Sequence, residues 1–290
     1  MRCRGGYRRG MRAFLRTWVD AFNEHRLLVY ATAIAMRALI GLAGLTFLTI
    51  ALLGATGERK IWEEHVAPAI EPKLTHPTFA AIDAAVEKIF ASNSAGLIVF
   101  ASLYVVWQVS GSIRAVMDAL NSIVGREESR PTLYRFGLSV ALGVIVILLI
   151  ACALFVVAVS SRLLGASGGI WHWLVAVLRW PAGAVFLGLA VGIVARLAPV
   201  EHRGARWASV GATLIVVAWL VESAVYAWFL KDVADYKTAS GNLLLLLVVT
   251  TYLYISSIVF LVGAQLDEFM RQDAKGNETV VIHQLARRLF

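Results

Sequence analysis

The sequence predicts an all-α, polytopic membrane protein with six transmembrane helices and amphipathic helices at the interface, and three observations predict it. Of the 290 residues, 59% are hydrophobic and only 16% are charged, against about 45–50% and about 25% in soluble domains. The hydrophobic residues form long runs, and about 20 of them in a helix cross a bilayer. Most runs are apolar on every side, unlike the alternating strands of a membrane barrel.

Six runs are long enough, or nearly so, to span a bilayer. In chain order they cover residues 27–53, 95–113, 136–160, 181–197, 207–230 and 241–266. They define a transmembrane domain over residues 27–266, after a basic cytoplasmic segment (1–26) and before a cytoplasmic tail (267–290). The first run is longer than a signal-peptide core of about 7–15 residues, which argues against a cleavable signal.

The first span contains a charged residue, Arg37, among apolar and small residues. A charge at the centre of a bilayer costs at least about 2.5–3.5 kcal/mol, so such residues usually face a bundle interior or a cavity and pair with another group. Arg37 lies about 15 Å into the span at 1.5 Å per residue. Ala33, Gly41 and Gly44 share its face and suit close helix packing, so we expect Arg37 to face the bundle interior.

The outer loop, residues 55–94, follows the first span. Its first half is interrupted by Pro68, Pro72 and Pro77. Over residues 78–90 apolar side chains recur at helical spacing, with charged side chains on the other faces. This pattern predicts an amphipathic helix that lies on the outer interface or caps the bundle.

The second span is predicted to continue as a helix beyond the membrane. Its apolar residues form one stripe, made of Ile113, Val116, Met117, Leu120, Ile123 and Val124. Arg114, Asp118 and Asn121 lie largely on other faces. Gly125, with Pro131 beyond it, predicts the end of the helix.

The fifth span contains Glu222, and Gln265 and Asp267 lie at the end of the sixth. Glu222 lies about 22 Å into its span, a depth that the Arg37 side chain could reach. Glu222 is therefore the predicted ionic partner of Arg37, or the two line a polar cavity for an anionic or amphipathic ligand, or their charges extend to an interface. Gln265 could face Arg114 or Arg37, and Gly263 would allow close helix approach there.

The distribution of Lys and Arg predicts that both termini are cytoplasmic. The N-terminal segment, the loops after spans two and four and the C-terminal tail hold 18 of the 27 such residues; the other loops hold 8, and Arg37 is the remaining one. Topology and attraction to anionic lipid account for the net charge of +8. No nucleic-acid partner is therefore predicted.

Residues for catalysis are scarce in this sequence. The six histidines form neither H-x-x-x-H nor H-E-x-x-H, and the chain has no G-x-x-x-x-G-K-[ST] loop. The two cysteines, Cys3 and Cys152, form neither a disulfide framework nor a metal motif. The sequence thus predicts no catalytic residue, no metal, no cofactor and no ribonuclease activity.

Four stretches resemble the YihY/BrkB family of bacterial inner-membrane proteins, once labelled "ribonuclease BN". They are AIAMRALIGLAG in the first span, WEEHVAP in the outer loop, VWQVSGSIRAVMDALNSIVGREESRP from the second span onward, and SGNLLLLLVVTTYLYISSIVFLVGAQLDE in the sixth. In the third stretch Trp107, Arg114, Asn121 and Arg130 sit as in the family's pattern. The sequence departs from it at GLAG, where many relatives have a proline, and at Gln265, where glutamate is common.

The resemblance implies a six-helix bundle in the cytoplasmic membrane, and a role in envelope integrity or in movement of lipids or other amphiphiles. We expect a protein that transports or handles a lipid or other amphiphilic anion, with membrane lipids as partners. Its candidate polar cavity comprises Arg37, Glu222, Gln265, Arg114 and Asn121. The alternative is a non-transporting envelope scaffold whose buried charges are structural; an intramembrane enzyme is the weakest interpretation. The substrate and the oligomeric state stay open, a homo-oligomer included.

Overall fold

The fold is all-α throughout the part of the chain that the structure, a computed structural model, describes: residues 22, 26–57, 59–92, 95–166, 170–201, 210–232 and 239–274. Its main helices are α1 (Leu27–Thr56), α2 (His76–Ser92), α3 (Ala95–Val124), α4 (Thr132–Ala166), α5 (Ile170–Leu197), α6 (Val210–Asp232) and α7 (Ala239–Ala274). Short helical turns lie between α1 and α2. The predicted N-terminal segment, apart from Phe22 and Arg26, and the predicted tail beyond Ala274 lie outside the described residues.

Five of these helices are long and apolar enough to cross a membrane. The qualifying stretches are Leu27–Thr56, Ala95–Val124, Thr132–Ala153, Val210–Lys231 and Leu246–Arg271, and a shorter apolar stretch, Pro181–Leu197, lies in α5. α5 also extends on the N-terminal side of Pro181, to Ile170. Neighbouring helices can satisfy the backbone groups that a proline frees in a membrane helix. The predicted all-α polytopic membrane fold is confirmed.

The stop predicted for α3 has a specific backbone geometry. Gly125 has φ +68°, a left-handed conformation that glycine adopts without the steric cost of a Cβ. The amide of Gly125 donates to the carbonyl of Ser122 (3.1 Å), and the amide of Arg126 donates to the carbonyl of Asn121 (3.0 Å). These two bonds form a Schellman motif, which satisfies carbonyls at the helix end.

The helices divide into two compact units, of which unit one consists of Met1–Ala31, Ile113–Leu220 and Ser257–Phe290. Its largest fully buried apolar side chains are Leu27, Met117, Leu120, Leu142, Ile215 and Leu261. α4 and α5 pack against each other in this unit. α6 and α7 approach so closely that a Cβ on Gly263 would meet Ile215 and the carbonyl of Gly211. The close approach predicted at Gly263 is therefore confirmed.

Unit two consists of Thr32–Ser112 and Val221–Ser256. The amphipathic helix predicted over residues 78–90 is present as α2, with Val86 buried on its inner face. The indole N–H of the buried Trp62 donates to Asp83 (3.0 Å). Phe90 packs against Gly54 near the end of α1. Because these contacts join the predicted outer loop to α1, α2 and the preceding turns form one assembly at the end of α1.

Candidate functional site

Arg37 extends from α1 to a glycine on α3. A Cβ on Gly111 would overlap Nη1 of Arg37 and would lie 3.3 Å from its Cζ. The guanidinium therefore occupies the space that any larger residue at this position would fill. Two serines, the buried Ser110 and the half-buried Ser112, flank the glycine.

The Arg37 guanidinium has no protein partner among the residues that the structure describes. Its side chain is exposed, and neither a hydrogen bond nor an ion pair links it to Glu222 or to any other described residue. The face of α1 that Arg37 shares with Gly41 and Gly44 packs against α3, where these glycines lie against Gln108 and Tyr104, but the predicted ion pair with Glu222 is not formed. The physical reason is that Arg37 is directed to Gly111 on α3, whereas Glu222 on α6 is directed to α7.

Glu222 is buried within unit two, with only 9% of its surface exposed. Its Oε2 accepts a hydrogen bond from Ser256 Oγ on α7 (3.0 Å). Its Oε1 is also buried and has no hydrogen-bond partner in the described part of the chain. This carboxyl is consequently only half satisfied by the protein.

One helical turn from Glu222, a second polar contact joins α6 and α7. The rings of Tyr226 and Tyr252 meet edge to face, with centroids 5.1 Å apart and planes at 78°. The hydroxyl of Tyr252 lies 3.0 Å from Ser223 Oγ. Hydroxyl-bearing side chains therefore continue from the carboxyl of Glu222 along the same pair of helices.

In unit one, Asn121 belongs to a network at the end of α3. We call this the loop network and define it as Asn121, Glu128, Arg130 and Arg135. Asn121 Nδ2 donates to Glu128 Oε2 (3.1 Å), and Asn121 Oδ1 accepts from the amide of Val200 (2.9 Å). Both ends of the amide are thus used in contacts within the protein.

Glu128 is the centre of the loop network. Arg130 donates from Nε to Glu128 Oε1 (2.7 Å) and from Nη2 to Oε2 (2.9 Å), a bidentate geometry that strengthens an ion pair. These bonds from Arg130 hold the pKa of the Glu128 carboxyl below its usual value. Arg130 Nη2 also donates to the carbonyl of Ala198 (2.7 Å), just after the end of α5. The network therefore fastens the end of α3 to the end of α5.

Arg135 lies 3.7 Å from Glu128 (Nε to Oε2) and adds further contacts between the loop network and α3. Arg135 Nη2 donates to Asp118 (2.6 Å) and to the carbonyl of Arg114 (3.3 Å). The Arg114 guanidinium lies over the ring of Phe136, 5.3 Å from its centroid, a cation–π contact. Arg114 and Asn121 are therefore both engaged by neighbouring protein groups.

Gln265 is almost completely buried in α7, with 1% of its surface exposed. Neither Nε2 nor Oε1 has a hydrogen-bond partner in the described part, so the predicted contacts with Arg114 or Arg37 are not formed. The nearby Asp267 does have a partner, because its Oδ1 accepts from the amide of Gly211 at the start of α6 (2.7 Å). The polar end of the sixth span therefore contacts the first turn of α6.

A cavity of about 430 Å³ lies beside the loop network. It is lined by Tyr30, Asp118, Asn121, Ser122, Gly125, Arg126, Glu127 and Glu128. Of the five predicted site residues, it contains Asn121. Within the described ranges, no three His, Cys, Asp or Glu side chains come together as metal ligands would.

The structure divides the five predicted site residues between the two units. Arg37 and Glu222 lie in unit two, and Arg114, Asn121 and Gln265 lie in unit one. Sequence reasoning missed Gly111, which contacts Arg37, and Ser256, which contacts Glu222. A glycine between two serines inside a span was the available signal for Gly111, since such a glycine marks close approach.

The chain matches a known protein family, but it matches no solved structure. The family described as "Virulence factor BrkB" matches residues 18–284. A protein named as ribonuclease-like, YfkH of Bacillus subtilis (strain 168), is 20% identical over 236 residues, which cover 78% of this chain and 84% of that protein. No solved structure matches the chain.

Proposed function

The chain belongs to the virulence factor BrkB family, and from that premise we propose that this multi-pass membrane protein binds and moves an amphiphilic anion, such as an anionic lipid. The proposed location is the cytoplasmic membrane, with both termini on the cytoplasmic side, and the proposed role is envelope integrity. The bias of Lys and Arg supports this orientation. We also propose that the chain has no ribonuclease activity, because its sequence lacks the spaced histidine motifs of hydrolytic metal sites.

This proposal rests on the environment of Arg37. Its guanidinium lies on an apolar span, is exposed, and has no hydrogen-bond or ion-pair partner among the described residues. A guanidinium offers five donors, and hydrocarbon supplies no acceptor for them. An anion that enters from the surrounding lipid would therefore relieve a cost of at least about 2.5–3.5 kcal/mol.

The position of Arg37 also restricts the kind of anion. A small inorganic anion would have to leave water to reach mid-span, at a high desolvation cost. An amphiphile keeps its chains in the hydrocarbon and needs to bring only its head group to the arginine. Phosphate and carboxylate head groups both match the guanidinium, which grips them through two parallel hydrogen bonds.

Lipid selectivity tests the proposal directly. The full-length protein is placed in phosphatidylcholine bilayers with a trace of spin-labelled phosphatidylglycerol or phosphatidylcholine, and the protein-bound fraction of each probe is measured. We expect wild type to prefer phosphatidylglycerol and Arg37→Gln to reduce that preference about tenfold or more, since a hydrogen bond to a charged group contributes about 1.5–3 kcal/mol. Movement of fluorescent phosphatidylglycerol between leaflets should fall in parallel.

The matched control is Lys60→Gln, which removes the same charge from an exposed position outside the spans. This variant should keep the wild-type lipid preference. Equal loss in both variants would mean that net charge, and not Arg37, attracts the lipid. An unchanged preference in Arg37→Gln would contradict the proposal.

The scaffold alternative is favoured by a different observation. In the loop network, Arg130 is bound to Glu128 in two hydrogen bonds and Arg135 is bound to Asp118, so these charges serve to hold helices together. If wild type shows neither a preference for phosphatidylglycerol nor lipid movement, while loop-network variants unfold more easily, the scaffold is the better description.

A further inference from the structure

The geometry around Glu222 points to a function separate from anion binding at Arg37: we propose that Glu222 is a proton-binding site inside the membrane-spanning part. The proton binds to and leaves from Oε1. In this step a carboxylate and a proton from water form a neutral carboxylic acid, and release is the reverse, so no other reactant is needed. The proposal does not depend on the identity of any lipid.

The first argument is the environment of the two carboxyl oxygens. Oε2 is the acceptor of the Ser256 hydroxyl. Oε1 is buried and receives no hydrogen bond from the described part of the chain. When the proton is on Oε1, Oε2 can still accept the hydrogen bond from Ser256 Oγ. The neutral acid is therefore compatible with the observed hydrogen bond.

The second argument concerns charge. No described cationic side chain lies within ion-pair distance of Glu222, since Arg37 is directed to Gly111. An ionised carboxylate buried without a partner is costly, and the neutral acid avoids the cost of burying a charge. Ionisable residues in spans commonly mark ion and proton pathways for this reason.

The third argument is the arrangement of neighbouring hydroxyls. Among the described residues, the titratable groups near this region are Tyr226 on the same helix and Tyr252 on α7, one turn from the carboxyl, and the Tyr252 hydroxyl contacts Ser223. Hydroxyls both donate and accept hydrogen bonds. They place polar groups one turn from the buried carboxyl, on the side where the Ser223–Tyr252 contact is exposed.

Two measurements on the full-length protein in phosphatidylcholine vesicles test the site. The first is the infrared carbonyl band of a protonated carboxylic acid, recorded from mildly acidic to alkaline pH. We expect a band that falls as the pH rises, that is lost in Glu222→Gln, and that shifts but persists in Glu222→Asp.

The second measurement is labelling by dicyclohexylcarbodiimide, followed by peptide mass spectrometry. The carboxylic proton moves to a nitrogen of the reagent while the carboxyl oxygen bonds to its central carbon, so protonated carboxyls react and ionised ones react far less. We expect Glu222 to be labelled and Glu63 and Glu87, both paired with Arg59 outside the spans, to stay unlabelled.

The infrared measurement decides the question even if the reagent cannot reach the site. Absence of a protonated-acid band at every pH would show that Glu222 is always ionised and would overturn the proposal. If the whole band remains in Glu222→Gln, the band belongs to other carboxyls, and this result would overturn the proposal as well. A band of Glu222 that never changes with pH would refute exchange of the proton. None of these outcomes alters the lipid preference attributed to Arg37, so the two proposals can fail separately.

Discussion

Gly111 is the single position on which the contact of Arg37 depends most directly. Replacing it with alanine places a Cβ where Nη1 of Arg37 lies, and the flexible guanidinium must move. Alanine also favours a helix over glycine by about 1 kcal/mol, so folding should not suffer. We therefore expect Gly111→Ala to keep or raise the thermal midpoint while it lowers the preference for phosphatidylglycerol several-fold.

Gly96→Ala is the control for this experiment. Gly96 lies on the same helix, and a Cβ there would meet nothing within 4 Å. The Gly96→Ala variant, in the first turn of the helix, should gain no more helix propensity than Gly111→Ala and should show no change in lipid preference. Loss of stability in Gly111→Ala, together with unchanged lipid preference, would contradict the role assigned to this glycine.

The partners of Arg37 and of Glu222 could not be predicted from the sequence. Both lie on spans that are apolar on nearly every side, so no polar stripe indicates the rotation of the helix. The small residues that share a face with Arg37 indicated a packing face without indicating its partner helix, and depth along the span made Arg37 and Glu222 look like partners. Contacts with Gly111 and Ser256 depend on the rotation of each helix, which the apolar pattern leaves undetermined.

The stability of the loop between α3 and α4 should depend on pH through Glu128. Its pKa is lowered in the fold by hydrogen bonds from Arg130, so its contribution to stability is present above the unfolded value of about 4.3 and is lost as the pH falls through the folded value. Glu128→Gln should therefore lower the thermal midpoint at neutral pH. The difference from wild type should disappear in acid.

The neighbouring Glu127 provides the control, since it is exposed and forms no hydrogen bond or ion pair with the described residues. Glu127→Gln should match wild type at both pH values. A deficit of Glu128→Gln that is equally large in acid would show that the ionised carboxylate is not what stabilises the loop.

A further prediction concerns the point at which α6 and α7 cross. A Cβ on Gly263 would press on Ile215 and on the backbone carbonyl of Gly211, and backbone cannot move aside easily. We expect Gly263→Ala to destabilise unit one by about 1–3 kcal/mol, the usual cost of overpacking. Thermal unfolding in detergent measures it.

Gly137→Ala on α4 is the matched substitution, because a Cβ there would meet nothing within 4 Å. It should leave the thermal midpoint unchanged or slightly higher. If the two variants unfold at the same temperature, close packing at Gly263 contributes nothing measurable.

Elements with a clear pattern were predicted well. The predicted stripe on α3 is buried from Ile113 to Ile123, including Met117 and Leu120 with no exposed surface, and the helix ends at Gly125 as predicted. Here a polar face and an apolar face coexist, so the sequence itself indicates the rotation. The helices themselves follow from hydropathy, because lipid leaves the backbone few alternatives.

For the whole molecule, the predicted orientation can be checked by thiol labelling in intact cells. In a background where serine replaces Cys3 and Cys152, we expect an impermeant maleimide to label Ala80→Cys, on the exposed side of α2. Gly276→Cys in the C-terminal tail should react only after the membrane is permeabilised, since the bias of Lys and Arg predicts a cytoplasmic tail. Labelling of Gly276→Cys in intact cells would reverse the assignment.

The contact between Asp267 and Gly211 has a consequence for biosynthesis. The amide of Gly211 is among the first-turn donors of α6 that have no partner within the helix, and its acceptor belongs to α7. Arg271 on α7 likewise pairs with Glu201 (3.3 Å). Because the ribosome makes α7 after α6, the amide of Gly211 meets its acceptor only after the last helix has been translated and inserted. A chain interrupted before Asp267 would therefore lack the α7 acceptor for the first turn of α6.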